Sequence, residues 1–270
     1  MLLHHKILAI TTILYLLLAF LYLLSIVGRL ERLTRPIWAI TYCTFAAHTL
    51  GLLMRWIESY RLGMGHVPLT NFYESLLFFA WASVFVLILT KRMFASNSVG
   101  FSVVLFSLVL MGYASLSPSV DQRIRPLIPA LQSNWLHIHV FTCFMGYAFF
   151  FLAFVSSLLM FSTSNSGLLA QRRLEDVTYR STLIGFLMLT AGILSGAVWA
   201  HYAWGAYWSW DPKETWSLIT WIIYAILLHA RITRRTRGRA MAALSIVGFA
   251  SVLFTYLGVN FLLSGLHSYA

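Results

Sequence analysis

The sequence predicts an all-α membrane protein, a polytopic bundle of about eight transmembrane helices. Of its 270 residues, 60% are hydrophobic and only 10% are charged, and the mean hydropathy is +0.78. A soluble domain of this length could not bury so much apolar surface. The apolar residues also fall into long runs separated by short connections, so we expect one integral membrane domain covering residues 1–270.

Each predicted span has about the 20 residues that a helix needs to cross a ~30 Å hydrocarbon core. The first run is too long for the apolar part of a signal peptide, and Arg29, Arg32 and Arg35 follow it rather than precede it. We therefore expect it to be retained as a helix. The eight runs are Ile7–Val27, Ile37–Ile57, Leu69–Leu89, Val99–Leu116, Trp135–Phe161, Ser181–Ala200, Thr215–Ala230 and Met241–Phe261.

The basic residues predict the orientation, because cytoplasmic loops carry an excess of Lys and Arg. Thirteen lie on one set of alternate loops: Arg29, Arg32, Arg35, Lys91, Arg92, Arg172, Arg173, Arg180, Arg231, Arg234, Arg235, Arg237 and Arg239. Six lie on the other side: Lys6, Arg55, Arg61, Arg123, Arg125 and Lys213. This bias predicts that both termini lie outside the cytoplasm. It also accounts for the net charge of +11 without a nucleic-acid partner.

Two connections on the predicted outer side are long, residues 117–134 and 201–214. The second ends in Asp211-Pro212-Lys213-Glu214, which predicts a helix start with Asp211 at the N-cap and Glu214 closing a capping box. The two cysteines, Cys43 and Cys143, fall inside spans, and the absence of a CxxC motif argues against a thiol-redox enzyme or a c-type cytochrome.

Tryptophan is concentrated at the second connection, where five of the ten tryptophans fall within residues 199–216: Trp199, Trp204, Trp208, Trp210 and Trp216. Trp204 and Trp208 would share one face if that segment is helical. Tryptophan also collects at membrane interfaces as an anchor. An anchoring belt would spread over many helix ends, so the concentration favours a flat aromatic platform for a planar ligand.

Histidines suggest what that ligand is. His139, one turn into the fifth span, and His267, just beyond the eighth, approach the tryptophan segment from different helices and are candidates for axial coordination of a haem iron. A single histidine at an interface is more often a hydrogen-bonded surface group. His66, His137 and His201 fall on the same predicted side without an assigned role, and His4 and His5, at the terminus, are expected to be incidental.

Two further histidines, His48 and His229, fall inside the bilayer, where an ionisable group is a candidate functional residue. For His48 we favour an interhelical hydrogen bond. For His229, close to the cytoplasmic end of the seventh span, we favour a second metal or haem site. A haem would also need cations for its two propionates, and the candidates remain open: Arg61, Arg123, Arg125 and Lys213.

The segment "WAHYAWGAYWSWDPKETW" at residues 199–216 resembles the tryptophan-rich WWD signature of haem-handling membrane proteins. The resemblance is strongest to system II cytochrome c synthetase subunits of the CcsA (ResC) type. It extends over most of the chain, through "HTLGLLMRW", "GHVPLTNFYESLLFFAW", "LIPALQSNWLHIHV", "LITWIIYAILLHAR" and "GVNFLLSGLHSYA".

The resemblance implies a cytochrome c haem-lyase in a bacterial cytoplasmic or thylakoid-type membrane. Haem b, as substrate, would be held at the outer face with His139 and His267 as iron ligands, while His229 would receive haem at an inner site. The implied partners are a CcsB (ResB)-type subunit, an apocytochrome c bearing CxxCH, and a thiol-reducing protein. The implied catalytic residues are His139, His267, Trp204, Trp208, Trp210 and Asp211, and Trp199 and Trp216 are added for haem binding.

Three alternatives remain open from the sequence. A haem-delivery protein would pass haem to a chaperone without attaching it to a polypeptide. A transporter would use the inner and outer sites as stations on an export path. A regulatory or assembly protein would bind no haem.

Overall fold

Eight helices of the described residues are long enough and apolar enough to cross a membrane. The structure is a computed structural model and describes residues 2–92, 96–162, 168–233 and 236–263. The long helices are α1 (Leu3–Val27), α2 (Thr34–Arg61), α3 (Phe72–Thr90), α4 (Asn97–Leu116), α5 (Asn134–Ser162), α6 (Leu168–Trp204), α7 (Pro212–Thr233) and α8 (Arg239–Leu253). The predicted all-α fold with eight spans is confirmed.

Two helices differ from their predicted form. Helix α6 has 37 residues and extends beyond the predicted Ser181–Ala200 at both ends, because its first turns are polar and hydropathy marks only the apolar part of a helix. The eighth span is not one regular helix: after α8 the chain forms a π-helical turn at Phe254–Gly258 and then the short helix α9 (Val259–Leu262). Such π-helical turns are often found at functional sites.

The chain divides into two units, Met1–Ile128 and Pro129–Ala270. In the first unit, α1 packs against α2 and α4, and α3 packs against α4. In the second unit, α5 and α6 make the most extensive helix pair, and α8 packs against α5 and α7.

Buried ionic groups join three helices of the first unit. Arg55 on α2, only 1% exposed, donates from Nε to Glu74 Oε1 on α3 at 2.9 Å. His4 on α1 is fully buried and pairs with Glu58 on α2. Its other ring nitrogen faces Arg55 Nη1 at 3.0 Å. The expectation that His4 is incidental is therefore wrong, because it belongs to the charge network that fixes the start of α1.

Two more histidines of the first unit have structural partners. The Nδ1 of His48, which is fully buried, lies 3.0 Å from the hydroxyl of Tyr15 on α1. The interhelical hydrogen bond favoured from the sequence is confirmed. His66 Nε2 lies 3.1 Å from Arg125 O and Nδ1 lies 3.2 Å from Val67 O, so this ring packs against the connection after α4.

Candidate functional site

A cavity lies in the second unit where α5 begins and α6 ends, and the space inside it and at its open mouth is about 800 Å³. Helices α5, α6 and α7, the α6–α7 connection and the π-helical turn all contribute to its wall. The lining residues that matter most for chemistry are His139, Cys143, Tyr147, Tyr207, Trp208, Lys213, Thr255 and Tyr256.

His139 enters this cavity from the second turn of α5. Its Nδ1 lies 2.7 Å from the carbonyl oxygen of Gly192 on α6. Because a carbonyl can only accept, Nδ1 must carry the proton, and the lone pair of the neutral ring is then on Nε2. A backbone carbonyl that orients the ring in this way is the usual support of a metal-ligating histidine.

The close approach of α6 makes this arrangement possible. A Cβ added at Gly196 would lie 2.5 Å from His139 Nδ1, closer than any real contact. The ring of His139 also stacks against Trp199 on α6, with centroids 6.0 Å apart and planes at 21°. The imidazole is therefore held between a glycine and an indole.

The tryptophan segment divides at the end of α6. This helix ends at Trp204, and Gly205 follows with a φ of +80°, a conformation that glycine adopts without strain. Trp204 packs edge to face against Trp199 at 4.9 Å. Trp208 lies beyond the helix end, so it does not share a helical face with Trp204.

Among the five tryptophans, all within the described residues, Trp208 is the one that lines the cavity. Trp210 contacts Trp208 at nearly a right angle but is 70% exposed, with a positive φ of 57°. Trp216, in the second turn of α7, packs on Phe254 at 4.1 Å. One indole thus belongs to the cavity wall, while the others support His139, stabilise the helix ends or face outward.

The start of α7 fixes the conformation of the connection that carries Trp208. Asp211 Oδ1 accepts from the backbone N–H of Lys213 at 2.9 Å, and Glu214 Oε2 accepts from the N–H of Asp211 at 3.3 Å. These bonds confirm the predicted capping box. Glu214 Oε2 also accepts from the N–H of Ser209 at 2.7 Å, which places the residue after Trp208.

The four candidate cations for propionates fall in different places. Lys213 lines the cavity, and its Nζ donates to Asn260 Oδ1 at 2.7 Å. Arg61 is exposed in the first unit. Arg123 and Arg125, also in the first unit, both pair with Asp121. The hydrogen bond from Arg123 lowers the pKa of the Asp121 carboxyl to about 2.

Sequence reasoning missed several residues of the cavity. Cys143 and Tyr147 lie four and eight residues after His139 on α5, and all three line the cavity. The helical spacing could have identified them, because residues four apart share a face. Thr255 and Tyr256 could not have been found in this way, since they belong to the π-helical turn.

The remaining site predictions concern His229 and His267. His229 is exposed on α7, beside a shallow groove whose lining residues, which include Trp221 and Ile226, all belong to that helix. His267 lies outside the described residues. Its pairing with His139 therefore stays a prediction.

Comparison with known proteins identifies the family. Residues 69–267 match the family described as cytochrome C assembly protein. A cytochrome c biogenesis protein CcsA of Chlamydomonas reinhardtii is 43% identical over 81% of this chain and 64% of its own length. The protein of the same name from Synechococcus sp. (strain CC9902) is 39% identical over 82% of both chains.

The chain belongs to the cytochrome c assembly protein family. Its homologues of about 40% identity carry the name CcsA, which confirms the CcsA-type resemblance. The matched residues 69–267 include every residue that lines the cavity.

A solved structure described as cytochrome c heme lyase CcmF shares the fold. Its TM-score is 0.75 at 20% sequence identity, and the likeness covers 95% of this chain and 46% of that one. At 20% identity this likeness supports the fold of the chain alone and assigns no site residue.

Proposed function

We propose that this chain is the haem-holding subunit of a cytochrome c synthetase, and that the cavity at the start of α5 binds haem as substrate. One observation carries the proposal: His139 lines this cavity with Nδ1 fixed by the Gly192 carbonyl, so that Nε2 is the nitrogen suited to iron. His267 is the proposed second axial ligand.

The cavity wall suits a flat, largely apolar ring. Trp208, Tyr207, Phe144, Tyr147 and Tyr256 present aromatic surface to it, and aromatic faces stack on planar ligands. The cavity is thus more compatible with a porphyrin than with a small polar metabolite. Trp199 stacks on the His139 ring and Trp204 packs against Trp199, so we assign these two tryptophans to holding the ring in place.

The chemistry then requires positioning more than a protein nucleophile. Two thiols of a CxxCH segment each add across one vinyl group: sulfur bonds to the carbon next to the ring, and a proton goes to the terminal carbon. No electrons are gained or lost, provided that the thiols arrive reduced, which a thiol-reducing protein would ensure. Holding the vinyl groups still is worth several orders of magnitude in rate, about 10⁵ M or more in effective concentration for well-oriented groups.

The orientation that we propose puts this cavity outside the cytoplasm, in a bacterial cytoplasmic or thylakoid-type membrane. His229 would then receive haem at the opposite side of the bilayer. Its ring lies on an exposed apolar face of α7, so a second axial ligand would come from a CcsB-type partner that covers this face.

The experiment is an absorption spectrum of the complex purified with its partner subunit. His139→Ala and His267→Ala should each shift or abolish the haem bands, because each removes an axial ligand. His137→Ala is the matched control, since His137 is two residues from His139 and does not line the cavity. Haem bands that do not respond to His139→Ala would refute the site.

Covalent attachment separates a synthetase from a haem-delivery protein. Co-expression with an apocytochrome c should give haem that stays on the polypeptide after denaturation. Haem that is transferred but remains extractable would favour delivery. His229→Ala should lower the total haem loading in the same preparation, and unchanged loading would leave His229 as a packing residue.

A further inference from the structure

Lys213 occupies an unusual place for a cation. It is the second residue of α7, directly after Pro212, in the turn capped by Asp211. The helix dipole disfavours a positive charge at this end of a helix. The side chain is also partly buried and lines an aromatic cavity, where removing an ammonium from water is unfavourable. Helix formation therefore does not explain a lysine at this position.

Asn260 fixes the ammonium at the cavity wall. Its Oδ1 accepts from Lys213 Nζ at 2.7 Å, and its Nδ2 donates to the carbonyl oxygen of Tyr256. Because the amide nitrogen must donate to that carbonyl, the amide oxygen has to face the lysine. Asn260 is only 4% exposed, so the ammonium is held by a buried side chain of α9, the short helix that follows the π-helical turn.

The partner that Asn260 provides is neutral. An amide oxygen orients an ammonium but does not neutralise its charge. The Asp211 carboxylate acts on Lys213 electrostatically but is itself engaged by the backbone N–H of residue 213. Because Lys213 lines the cavity and Asn260 holds its Nζ in place, an anionic group of a ligand there would gain a charge-assisted hydrogen bond to a preorganised donor.

We propose that Lys213 binds a carboxylate of the substrate and selects porphyrins that carry free acid side chains. This inference rests on the proposed function, since it places haem in the cavity with iron at His139. Two fixed points, the iron at His139 and a propionate at Lys213, would define how the ring is rotated in its plane. Lys213 is thus a specificity and positioning residue, and it takes no part in bond formation.

The test compares haem with haem dimethyl ester, which has the same ring and iron but no carboxylate. Both are titrated into the haem-depleted complex with its partner, and the Soret band reports each affinity. A charge-assisted hydrogen bond predicts that the wild-type protein prefers the free acid by about ten- to hundredfold. Lys213→Met should bring this ratio close to one by weakening free-acid binding alone, whereas Lys213→Arg should retain most of it.

Controls separate this inference from a structural role and from the haem site itself. Lys91→Met, in the first unit, should leave the ratio unchanged. Equal weakening of both ligands by Lys213→Met would mean that Lys213 only supports the helix ends, and a wild-type ratio of one would also overturn the inference. If neither ligand depends on His139, the proposed function has failed instead.

Discussion

Two cations, the buried Arg55 in the first unit and the partly buried Lys213 in the second, have different surroundings. Arg55 is neutralised by the chain itself, since the Glu74 carboxylate accepts from Nε at 2.9 Å; the carbonyl of Gln122 also accepts from Nη1 at 2.9 Å. Lys213 donates to a neutral amide and lies beside a cavity. A buried charge must be compensated in both cases. For Arg55 the compensating carboxylate belongs to the chain. Lys213 instead lies where an anionic group of a ligand in the cavity could reach it.

The surroundings of Arg55 indicate that its role is structural. Besides Glu74, it contacts His4 Nε2 at 3.0 Å and lies over the Tyr73 ring at 4.8 Å. Since arginine can only donate, His4 Nε2 accepts, and Nδ1 then carries the proton that binds Glu58. Every contact joins one helix or connection to another, so the network sets the relative positions of α1, α2 and α3.

The largest expected effect comes from removing Arg55, the cation that neutralises buried Glu74. Arg55→Met leaves Glu74 buried without its cation, which should reduce the free energy of unfolding by ~3–5 kcal/mol. Lys213→Met should change it less, because Lys213 is only partly buried and Asn260 Oδ1, which accepts from it, carries no charge. Titration with denaturing detergent, followed by tryptophan fluorescence, measures both.

Arg61→Met is the control for Arg55→Met, since Arg61 lies on the same helix and is exposed. Its unfolding midpoint should match that of the wild type. Adding Glu74→Gln to Arg55→Met should recover part of the loss, because it removes the uncompensated charge. If Arg55→Met unfolds no earlier than Lys213→Met, the contrast between the two cations is wrong.

The second prediction concerns the close contact between α6 and His139 at the cavity. Gly196→Ala would place a Cβ 2.5 Å from His139 Nδ1, so the ring must move. Misplacing a reacting group by about 1 Å can cost ~10²-fold, and we expect a loss of covalent haem attachment of up to that size. The yield of holocytochrome c in the co-expression system measures it.

Gly112→Ala provides the matched control for this substitution. Gly112 lies inside α4, and a Cβ there would meet nothing within 4 Å. Alanine should therefore be tolerated, or stabilise the helix by up to ~1 kcal/mol. A defect in Gly196→Ala that Gly112→Ala reproduces would point to general glycine effects and not to the position of His139.

The third prediction separates the cap from the chemistry at Asp211. Asp211→Ala removes the N-cap of α7 and should cost about 1 kcal/mol in stability, whereas Asp211→Asn keeps an equally good cap. If Asp211 acts only by fixing the connection that carries Trp208, Asp211→Asn should restore haem binding to the wild-type level. Haem binding that fails in both variants would assign the carboxylate a direct role.

The fold was predictable because the lengths of the apolar runs can be read directly from the sequence. Eight apolar runs of about 20 residues favour helices, since a helix satisfies its own backbone hydrogen bonds inside a bilayer and a barrel strand would be only about half as long. The start of α7 was predictable for a similar reason, because Asp211, Pro212 and Glu214 are local signals. The end of α6 at Trp204 was not predicted, since the conformation of Gly205 depends on the connection that follows.

The site was predicted less completely than the fold. His139 was a candidate because the predicted topology brings it to the same side as the tryptophan segment, and the structure places it at the cavity wall. Lys213 was only one of four candidates, and the choice among them required knowing which one faces a cavity. The role of His4 was missed because its partners, Glu58 and Arg55, are distant in sequence and meet it only through packing.

The smallest expected change in unfolding free energy concerns a third charged group, Asp121, which is exposed. Asp121 forms ion pairs with Arg123 and Arg125 at the surface of the first unit. The lowered pKa of its carboxyl means that the pair stabilises the fold above the ordinary pKa of 3.8, and this contribution is lost as the pH falls towards about 2.

Asp121→Asn should change the unfolding free energy at neutral pH by less than ~1 kcal/mol, because exposed pairs are screened by water and salt. Detergent titration of this variant beside Arg55→Met would show whether burial, and not charge pairing alone, makes the Arg55 network strong. A loss at Asp121 as large as that at Arg55 would contradict this explanation.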